Sequence, residues 1–190
     1  DFETNSLDIF GVDFLPTSLS ISFQPGCSYV FKLFHHDGDS TWVDFNTREI
    51  SSTLVDKLSE VFQDVNVWKV AHNFKFDGCI FRKFFGVWPK GVLYDTMTMH
   101  HKLYNHMKHG LKGIVATYFP QLGGYEDEAY RHKWTDMPWD VQMGYNGTDS
   151  DVTIRLKSIL EGELLEDMPS YLAYRNTMSA AIEPLMYAEY

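Results

Sequence analysis

A chain of 190 residues that is 44% hydrophobic and 16% aromatic can bury the core of one domain and is too apolar to be a disordered chain. No apolar run is long enough to span a membrane, no signal peptide is visible, and Cys27 and Cys79 form no CxxC pair, so we expect a cytoplasmic protein without disulfides. The formal net charge is −10, whereas a stand-alone binder of duplex nucleic acid is usually basic. A nucleic-acid substrate would therefore need bound cations, or an attached neighbouring domain, to hold its phosphates.

The hydrophobic pattern of the first half predicts strands followed by a helix. Alternating, β-branched and aromatic runs predict strands at Leu19–Gln24, Tyr29–Phe34 and Thr41–Phe45. Short turn-forming segments rich in glycine and aspartate separate these runs, which is typical of antiparallel neighbours. An apolar stripe at helical spacing from Ile50 to Phe62 predicts the first helix.

From residue 65 onward the pattern alternates between strands and helices. The predicted elements are, in chain order, a strand at Val65–Ala71, a helix at Phe74–Phe85, a strand at Val92–Tyr94, helices at Thr96–Tyr104 and Leu111–Phe119, a loop at 120–134, a long helix at Trp139–Leu165 and a helix from Tyr171 to the end. This order predicts a layered domain of the α/β or α+β class.

The first candidate functional residues are two carboxylates at the start of the chain. Asp1 and Glu3 are two positions apart, so on a strand their side chains point to the same face. Two neighbouring carboxylates repel each other unless a cation lies between them. The pair indicates a cation site, although an acidic, fraying terminus would contain the same residues.

A third carboxylate follows the apolar strand that is predicted to end at residue 71. Asp77 lies in the first turn of the next helix, at the end of a strand where α/β sheets commonly bind ligands. Asn73 lies between the strand and the helix. Helix capping by Asn73 and complementation of the helix dipole by Asp77 would explain both residues without any function.

The fourth carboxylate lies on the long helix near the C-terminus. Tyr145 and Asp149 are four residues apart, so the phenol and the carboxylate share one helix face. Gly144 and Gly147 each weaken this helix by about 1 kcal/mol relative to alanine. A small residue there allows another element to approach the helix closely, and a break in the helix is the alternative.

These motifs together resemble those of the DEDD exonuclease superfamily in its tyrosine variant. The D-x-E motif corresponds to Asp1 and Glu3, the N-x-x-F/Y-D motif to Asn73 and Asp77, and the Y-x-x-x-D motif to Tyr145 and Asp149. The surrounding segments are similar to the proofreading domain of family A DNA polymerases: DFETNSLD at 1–8, VAHNFKFD at 70–77, His-Gly-Leu at 109–111 and YNGTDSDVT at 145–153.

The resemblance covers residues 1–165 and implies a ribonuclease H-like α/β fold for them, in which a mixed β-sheet, first antiparallel and then parallel, is flanked by helices. It implies that residues 166–190 form a helical connector towards a polymerase domain in the same natural chain, since EPLMYAEY at 183–190 is similar to the helix that leaves such exonuclease domains. The catalytic residues that it implies are Asp1, Glu3, Asp77, Tyr145 and Asp149. The four carboxylates among them would bind two divalent metal ions, Mg²⁺ or Mn²⁺, which oxygen ligands favour.

The implied reaction is hydrolysis of the terminal phosphodiester at the 3′ end of single-stranded DNA, which releases a nucleoside monophosphate and proofreads for the polymerase. Tyr145 would orient the attacking water. Leu7 would wedge between the last bases, Phe76 would pack near the terminal nucleotide, and Asn73 belongs to the same nucleic-acid-binding set. We expect a monomer without a membrane partner, in the cytoplasm of a bacterium or a phage-infected cell.

Three other interpretations remain open from the sequence. A ribonuclease D-like exoribonuclease would use the same metal chemistry, and a catalytically inactive exonuclease fold would serve as a structural or DNA-guiding module. A zinc site among His100, His101, His106 and His109 is disfavoured, because the first two are adjacent and point apart on a helix and no cysteine accompanies them. Asp151, two residues after Asp149, points away from it on the helix and is predicted to have a structural role.

Overall fold

The computed structural model describes residues 1–33, 35–36, 42–43, 49–133 and 136–190. The described strands are β1 Phe2–Thr4, β2 Pro16–Gln24, β3 Cys27–Lys32, β4 His35–His36, β5 Trp42–Val43, β6 Lys69–Ala71 and β7 Leu93–Asp95. The described helices are α1 Glu49–Gln63, α2 Phe74–Phe85, α3 Thr96–Leu103, α4 Leu111–Tyr118, α5 Trp139–Glu166, α6 Met168–Ala173 and α7 Ala180–Glu189. None of these described helices is both long and apolar enough to cross a membrane.

The strands form an antiparallel part and a parallel part, as predicted. β1 pairs with β2 and β2 pairs with β3, both antiparallel, so that Leu19 of β2 lies between Phe2 and Phe31. β6 and β7 pair in parallel, with Ala71 opposite Asp95. The short β4 and β5 form an antiparallel pair; the rest of the strand predicted at Thr41–Phe45 lies outside the described residues.

Several sequence-based boundaries are wrong. β2 begins at Pro16 and not at Leu19, and β3 begins at Cys27 and not at Tyr29. The strand predicted from Val65 begins only at Lys69, because Asp64 forms a turn in which its side chain accepts a hydrogen bond from the backbone N–H of Asn66 at 2.9 Å. The helix predicted from Tyr171 starts at Met168 and is interrupted by a π-helical turn at Tyr174–Ser179.

The π-helical turn has a structural reason. It lets two side chains five residues apart reach the same strand: the Tyr174 hydroxyl accepts a hydrogen bond from the backbone N–H of Asp95 at 3.1 Å, and the Ser179 hydroxyl donates to the Leu93 carbonyl at 2.6 Å. Both residues are buried. The C-terminal helices are thereby attached to β7, next to the end of the strand that precedes α3.

The buried side chains form two clusters on either side of the short strands. The first joins β1 and β2 to α2 and α7, and its members include Phe2, Leu19, Phe81 and Met186. The second surrounds α5, with α3 and α4 packed against it, and its members include Leu156. α5 therefore lies at the centre of the domain, in contact with β2 and β3 on one side and with the helices on the other.

Two glycines mark places where elements approach each other closely. A Cβ at Gly147 of α5 would lie 3.2 Å from Cγ2 of Val30 on β3, so the predicted close approach exists at this position. A Cβ at Gly78 of α2 would overlap Sδ of Met186, which is fully buried on α7. The assignment of residues 166–190 as a connector stays a prediction, but α7 packs against α2.

We expect Gly78→Ala to lower the free energy of unfolding by about 1–3 kcal/mol, because the new methyl group overpacks the contact with Met186. Gly162→Ala is the matched control, since Gly162 lies on the exposed face of α5 and a Cβ there meets open space. It gains helix propensity without a clash and should stabilise the domain by roughly 0.5–1 kcal/mol. Urea denaturation measures both; equal stabilisation by the two alanines would contradict the α2–α7 contact.

Candidate active site

β1 places the first two carboxylates. The backbone of Asp1 exchanges two hydrogen bonds with Ser20 of β2, at 3.0 Å and 2.9 Å, and Glu3 lies opposite Ser18. The antiparallel ladder therefore fixes the backbone on both sides of Phe2. The side chain of Phe2 is buried in the core, so those of Asp1 and Glu3 project from the other face of the strand.

α5 places the other half of the site through polar contacts with β2. Asn146 donates to the Ser18 hydroxyl at 2.6 Å and accepts at its carbonyl from the Ser20 hydroxyl at 2.8 Å. One turn earlier, Gln142 donates to the Thr17 hydroxyl at 2.6 Å. All five residues are buried. Because hydrogen bonds are directional, they fix the position of α5 along β2, whereas apolar packing alone would let the helix slide along the strand.

The three carboxylates of β1 and α5 converge. One carboxylate oxygen from each of Asp1, Glu3 and Asp149 lies within 4.8 Å of the other two, and among the described residues this is the only group of three or more acidic, histidine or cysteine side chains that could hold one ion. Oδ2 of Asp1 is buried and has no hydrogen-bond partner among the described residues. Strand spacing predicted the pairing of Asp1 with Glu3, and the resemblance to the DEDD exonucleases implied that Asp149 joins them.

Burial and mutual repulsion dominate the electrostatics of this group. Burial, followed by the neighbouring charge of Asp149, raises the pKa of Glu3 well above its usual range. Burial likewise raises the pKa of Asp149, although the ammonium of Lys112 and the hydroxyl of Tyr125 act against it. The clustered carboxylates therefore need a compensating positive charge to be ionised together.

Two residues that the sequence analysis did not single out contact the group. Lys112 on α4 forms an ion pair with Oδ1 of Asp149, and the Tyr125 hydroxyl donates a hydrogen bond to the same oxygen. Lys112 also donates to the Tyr125 hydroxyl at 2.7 Å. Tyr125 lies in the segment predicted as a loop, between two short 3₁₀ turns at Pro120–Leu122 and Ala129–Arg131. No local pattern marks either residue as part of a site.

Tyr145 lies beside the carboxylates, on the face of α5 that it shares with Asp149. Its ring centroid is 6.0 Å from that of Tyr125 and 6.3 Å from that of Tyr130. Burial, followed by the negative charges of Asp149 and Glu3, raises the pKa of Tyr145 above its usual value. Its hydroxyl therefore stays protonated at neutral pH and acts as a hydrogen-bonding group and not as a base.

Asp77 is adjacent to the group without belonging to it. Its Oδ1 accepts a hydrogen bond from the backbone N–H of Phe2 at 2.9 Å, which ties α2 to β1 between the first two carboxylates. Burial raises the pKa of Asp77 above its usual value. The structure thus brings all four predicted carboxylates to β1: three of them have oxygen atoms within 4.8 Å of one another, and the fourth accepts a hydrogen bond from the backbone of Phe2.

Asn73 does not act as the helix cap that its position suggested. It has a left-handed backbone (φ 65°) and its side chain makes no capping hydrogen bond. Asp95, a buried residue at the end of β7 that the sequence analysis missed, accepts from the backbone N–H groups of Asn73, Phe74 and Met97 at 2.9, 3.1 and 2.9 Å. One carboxylate thereby orients the first turns of both α2 and α3.

The two predicted base-contacting side chains differ in exposure. Phe76 is half-buried and packs against the core on α2. Leu7 lies in the loop after β1 with 86% of its surface exposed. A leucine that protrudes into solvent this far contributes nothing to the core, which leaves it free to contact a ligand.

A family model described as 3′-5′ exonuclease, of the DNA polymerase A type, matches residues 1–165. This chain belongs to that exonuclease family. It is also similar to a DNA polymerase of Bacillus phage SP01, with 29% identity over 112 residues that make up 55% of this chain and 12% of the polymerase. The chain thus spans only a small part of the length of this relative.

The fold of the exonuclease domain is similar to that of the nuclease NrnC from Brucella melitensis. The two align over the whole of this chain and 82% of NrnC, with a TM-score of 0.75 and 18% identity. Structures of NrnC with bound Mg²⁺ and with bound pGG give TM-scores of 0.73 and 0.68 at the same identity and coverage. At this level of identity, the similarity is one of fold.

The histidines near α3 form hydrogen bonds with one another. The ring of His109 contacts His100 through Nδ1 at 2.8 Å and His101 through Nε2 at 3.0 Å. His109 thus uses a different nitrogen for each partner, so the three rings do not face one point as metal ligands would.

Asp151 has the structural role predicted for it, since it accepts hydrogen bonds from Gly26 and Arg155.

We expect His72, which follows β6, to make the stability of the exonuclease domain sensitive to acid. Its Nδ1 hydrogen-bonds with the Thr96 hydroxyl at 2.9 Å, and burial lowers the pKa of His72 to about 4. As the pH falls from about 6.5 to about 4, the unfolded chain binds a proton that the native state does not, so this residue reduces the free energy of unfolding by roughly 1.4 kcal/mol per pH unit.

We expect His72→Gln to remove this acid sensitivity. The unfolding free energy of the wild type should fall relative to that of the variant by at most about 3 kcal/mol between pH 6.5 and pH 4, and not at all above pH 7. Urea denaturation at a series of pH values measures the difference, with His106→Gln in an exposed segment as the control. Parallel curves for wild type and His72→Gln would contradict a buried neutral imidazole.

Proposed function

We propose that this chain is a metal-dependent 3′→5′ exonuclease that hydrolyses the 3′-terminal phosphodiester of single-stranded DNA, releases nucleoside monophosphates and proofreads for a family A DNA polymerase. The observation that carries the proposal is the convergence of Asp1, Glu3 and Asp149 within 4.8 Å at the end of β1, beside Tyr145. Membership of the 3′-5′ exonuclease family supports the reaction class.

The donor set fits hard divalent ions such as Mg²⁺ or Mn²⁺. It consists of carboxylate oxygens only, and these ions prefer oxygen ligands. The buried Oδ2 of Asp1 lacks a hydrogen-bond partner among the described residues, which is the state expected of a metal ligand without its metal. The Mg²⁺ bound by Brucella melitensis NrnC, whose fold is similar, gives further support.

Asp1, Glu3 and Asp149 would hold one divalent ion, and Asp77 would help to hold a second, mainly through water. The bound ions would generate a hydroxide and stabilise the charge on the phosphate oxygens. Tyr145 orients the attacking water, because its protonated hydroxyl projects from the same helix face as Asp149. Asp77 already accepts the N–H of Phe2 with one oxygen, which leaves its other oxygen for an ion or for a water bound to it.

A short single strand is the substrate that suits this surface. The net charge of −10 disfavours an extended contact with the phosphates of a duplex, so binding must rest on the metal site and on a few bases. Leu7 lies in the loop after β1, a few residues beyond Glu3, and its exposed side chain would wedge between the last bases. Phe76 and Asn73, on either side of the first turn of α2, would contact the terminal nucleotide.

We infer that the natural partner is a polymerase domain in the same chain, and that the domain acts as a monomer in the cytoplasm of a bacterium or a phage-infected cell. The similarity to a phage DNA polymerase supports this inference. An attached polymerase would also hold the duplex part of the DNA, so the acidic exonuclease domain would need to bind only the frayed 3′ end.

We expect Asp149→Asn to lower exonuclease activity by roughly a hundredfold or more, because an amide in place of the carboxylate removes a charge that the metal ions require. The assay uses 5′-labelled single-stranded DNA, matched RNA and a dinucleotide, each with Mg²⁺, Mn²⁺ or EDTA. Asp140→Asn is the control, since it makes the same change at an exposed position of the same helix.

A DNA ladder that shortens from the 3′ end, requires the metal and disappears only in Asp149→Asn would support the proposal. Preferential loss of RNA would instead favour a ribonuclease D-like enzyme, and cleavage of the dinucleotide alone would favour an activity on very short products. If the folded wild type degrades none of the three substrates with either metal, the chain is an inactive structural module and the proposal is wrong.

We expect Leu7→Ala to raise the KM for single-stranded DNA by about threefold to tenfold with little change in kcat, because the wedge contributes to binding of the end and not to the chemistry. Val12→Ala is the matched control, since Val12 is fully exposed in the same loop and no contact with the substrate is assigned to it. Steady-state kinetics on a labelled single strand separates the two constants. Equal effects of the two substitutions would argue against a specific wedge.

A further inference from the structure

Lys112 makes the closest contact of any described cation with the carboxylate group. Its ammonium pairs with Oδ1 of Asp149, the same oxygen that accepts a hydrogen bond from the Tyr125 hydroxyl. The side chains of Lys112 and Asp149 are only 22% and 5% exposed. This is therefore a largely buried ion pair, unlike the exposed pairs that contribute little to protein stability.

The surroundings of the ammonium are suited to a cation. It lies over the ring of Tyr145 at 4.1 Å from the centroid and over the ring of Tyr125 at 4.5 Å. The negative faces of these rings attract a cation, most strongly when it has lost part of its water. Lys112 lies at the start of α4, so its backbone is fixed while its four-carbon side chain retains the freedom to move.

Oδ1 of Asp149 cannot pair with Lys112 and bind a metal ion at the same time. That oxygen already accepts from two donors, which leaves it no free lone pair for an ion. Two positive charges in contact with one carboxylate group would also repel each other. A divalent ion that uses this oxygen must therefore displace the ammonium.

We propose that Lys112 is the internal counter-ion of the carboxylate group, that a divalent ion displaces its ammonium from Asp149, and that the displaced ammonium then binds the phosphate of the terminal nucleotide. This rests on the proposed function, because it takes the carboxylates as metal ligands. It assigns one side chain to two successive partners, first a carboxylate and then a phosphate.

The phosphate is the partner that the displaced ammonium requires. Once the ion occupies Asp149, Lys112 is a cation in a partly buried site without its carboxylate, which is unfavourable unless another anion replaces it. The scissile phosphate bound by the metal ions brings that anion to the same place. Lys112 thereby couples the two binding events, since ion binding prepares a positive group for the substrate.

The first arm of the test measures binding of Mn²⁺ alone by calorimetry, without substrate. Lys112→Met removes the competing ammonium and keeps much of the side-chain volume, so it should bind Mn²⁺ roughly tenfold more tightly than the wild type. Lys112→Gln should behave in the same way and guards against a methionine that disturbs folding. Lys108→Met removes the same charge from an exposed position four residues away and should bind as the wild type does.

Thermal melting adds a measurement that does not depend on heats of binding. In EDTA, Lys112→Met should melt at a lower temperature than the wild type, because its carboxylates have lost their counter-ion. Saturating Mn²⁺ should restore it, so the metal-induced rise in Tm should be larger in the variant. Unchanged Mn²⁺ affinity and unchanged Tm shifts in both Lys112 variants would overturn the proposal.

The second arm measures kinetics on single-stranded DNA at saturating Mn²⁺. Lys112→Met should raise KM by roughly tenfold, as expected for the loss of a charged contact with one phosphate. Tighter Mn²⁺ binding with an unchanged KM would overturn the role in phosphate binding. A wild type that binds Mn²⁺ and shows the predicted difference from Lys112→Met but cleaves nothing would overturn the proposed function and still support the counter-ion.

Discussion

The repulsion between three clustered carboxylates is the constraint on which the rest of the domain depends. Asp1 and Glu3 are far from Asp149 in the sequence, and bringing the three within 4.8 Å opposes folding because like charges lie close together and because Glu3 and Asp149 are desolvated. The structure must therefore hold β1 and α5 together against this repulsion. It does so with hydrogen bonds between α5 and β2, of which the Asn146–Ser18 contact at 2.6 Å is one.

The same constraint explains why a lysine lies in an acidic site. Without a cation, the carboxylates of the group are harder to ionise, because burial raises the pKa of both Glu3 and Asp149. Lys112 supplies part of the missing charge within the chain and lowers the pKa of Asp149 against the effect of burial. A site of this kind can fold before it binds metal, and it keeps its carboxylates available to a divalent ion that carries twice the charge of the ammonium.

Local features of the fold and site could be predicted from the sequence, whereas contacts between distant elements could not. The bounds of α2 were predicted exactly, because Gly86 ends the helix in a left-handed cap and the apolar stripe leaves little freedom. The shared faces of Asp1 and Glu3 and of Tyr145 and Asp149 follow from strand and helix periodicity. Lys112 was missed because its contact with Asp149 joins residues 37 positions apart, and neither residue changes the local pattern of the other.

The net charge of the domain disfavours binding of nucleic acid, whereas the proposed metal site would favour binding of a phosphate at one point. The two effects together restrict which nucleic acids the domain can bind. An overall charge of −10 repels an extended polyanion, so the surface as a whole disfavours nucleic acid. In the function that we propose, the carboxylate group reverses this at one point, since divalent ions held there would present a positive charge to a phosphate. Affinity would then depend on a few terminal nucleotides and not on the length of the strand. A domain built in this way would engage ends better than internal positions, which is the selectivity that the proposed proofreading role requires.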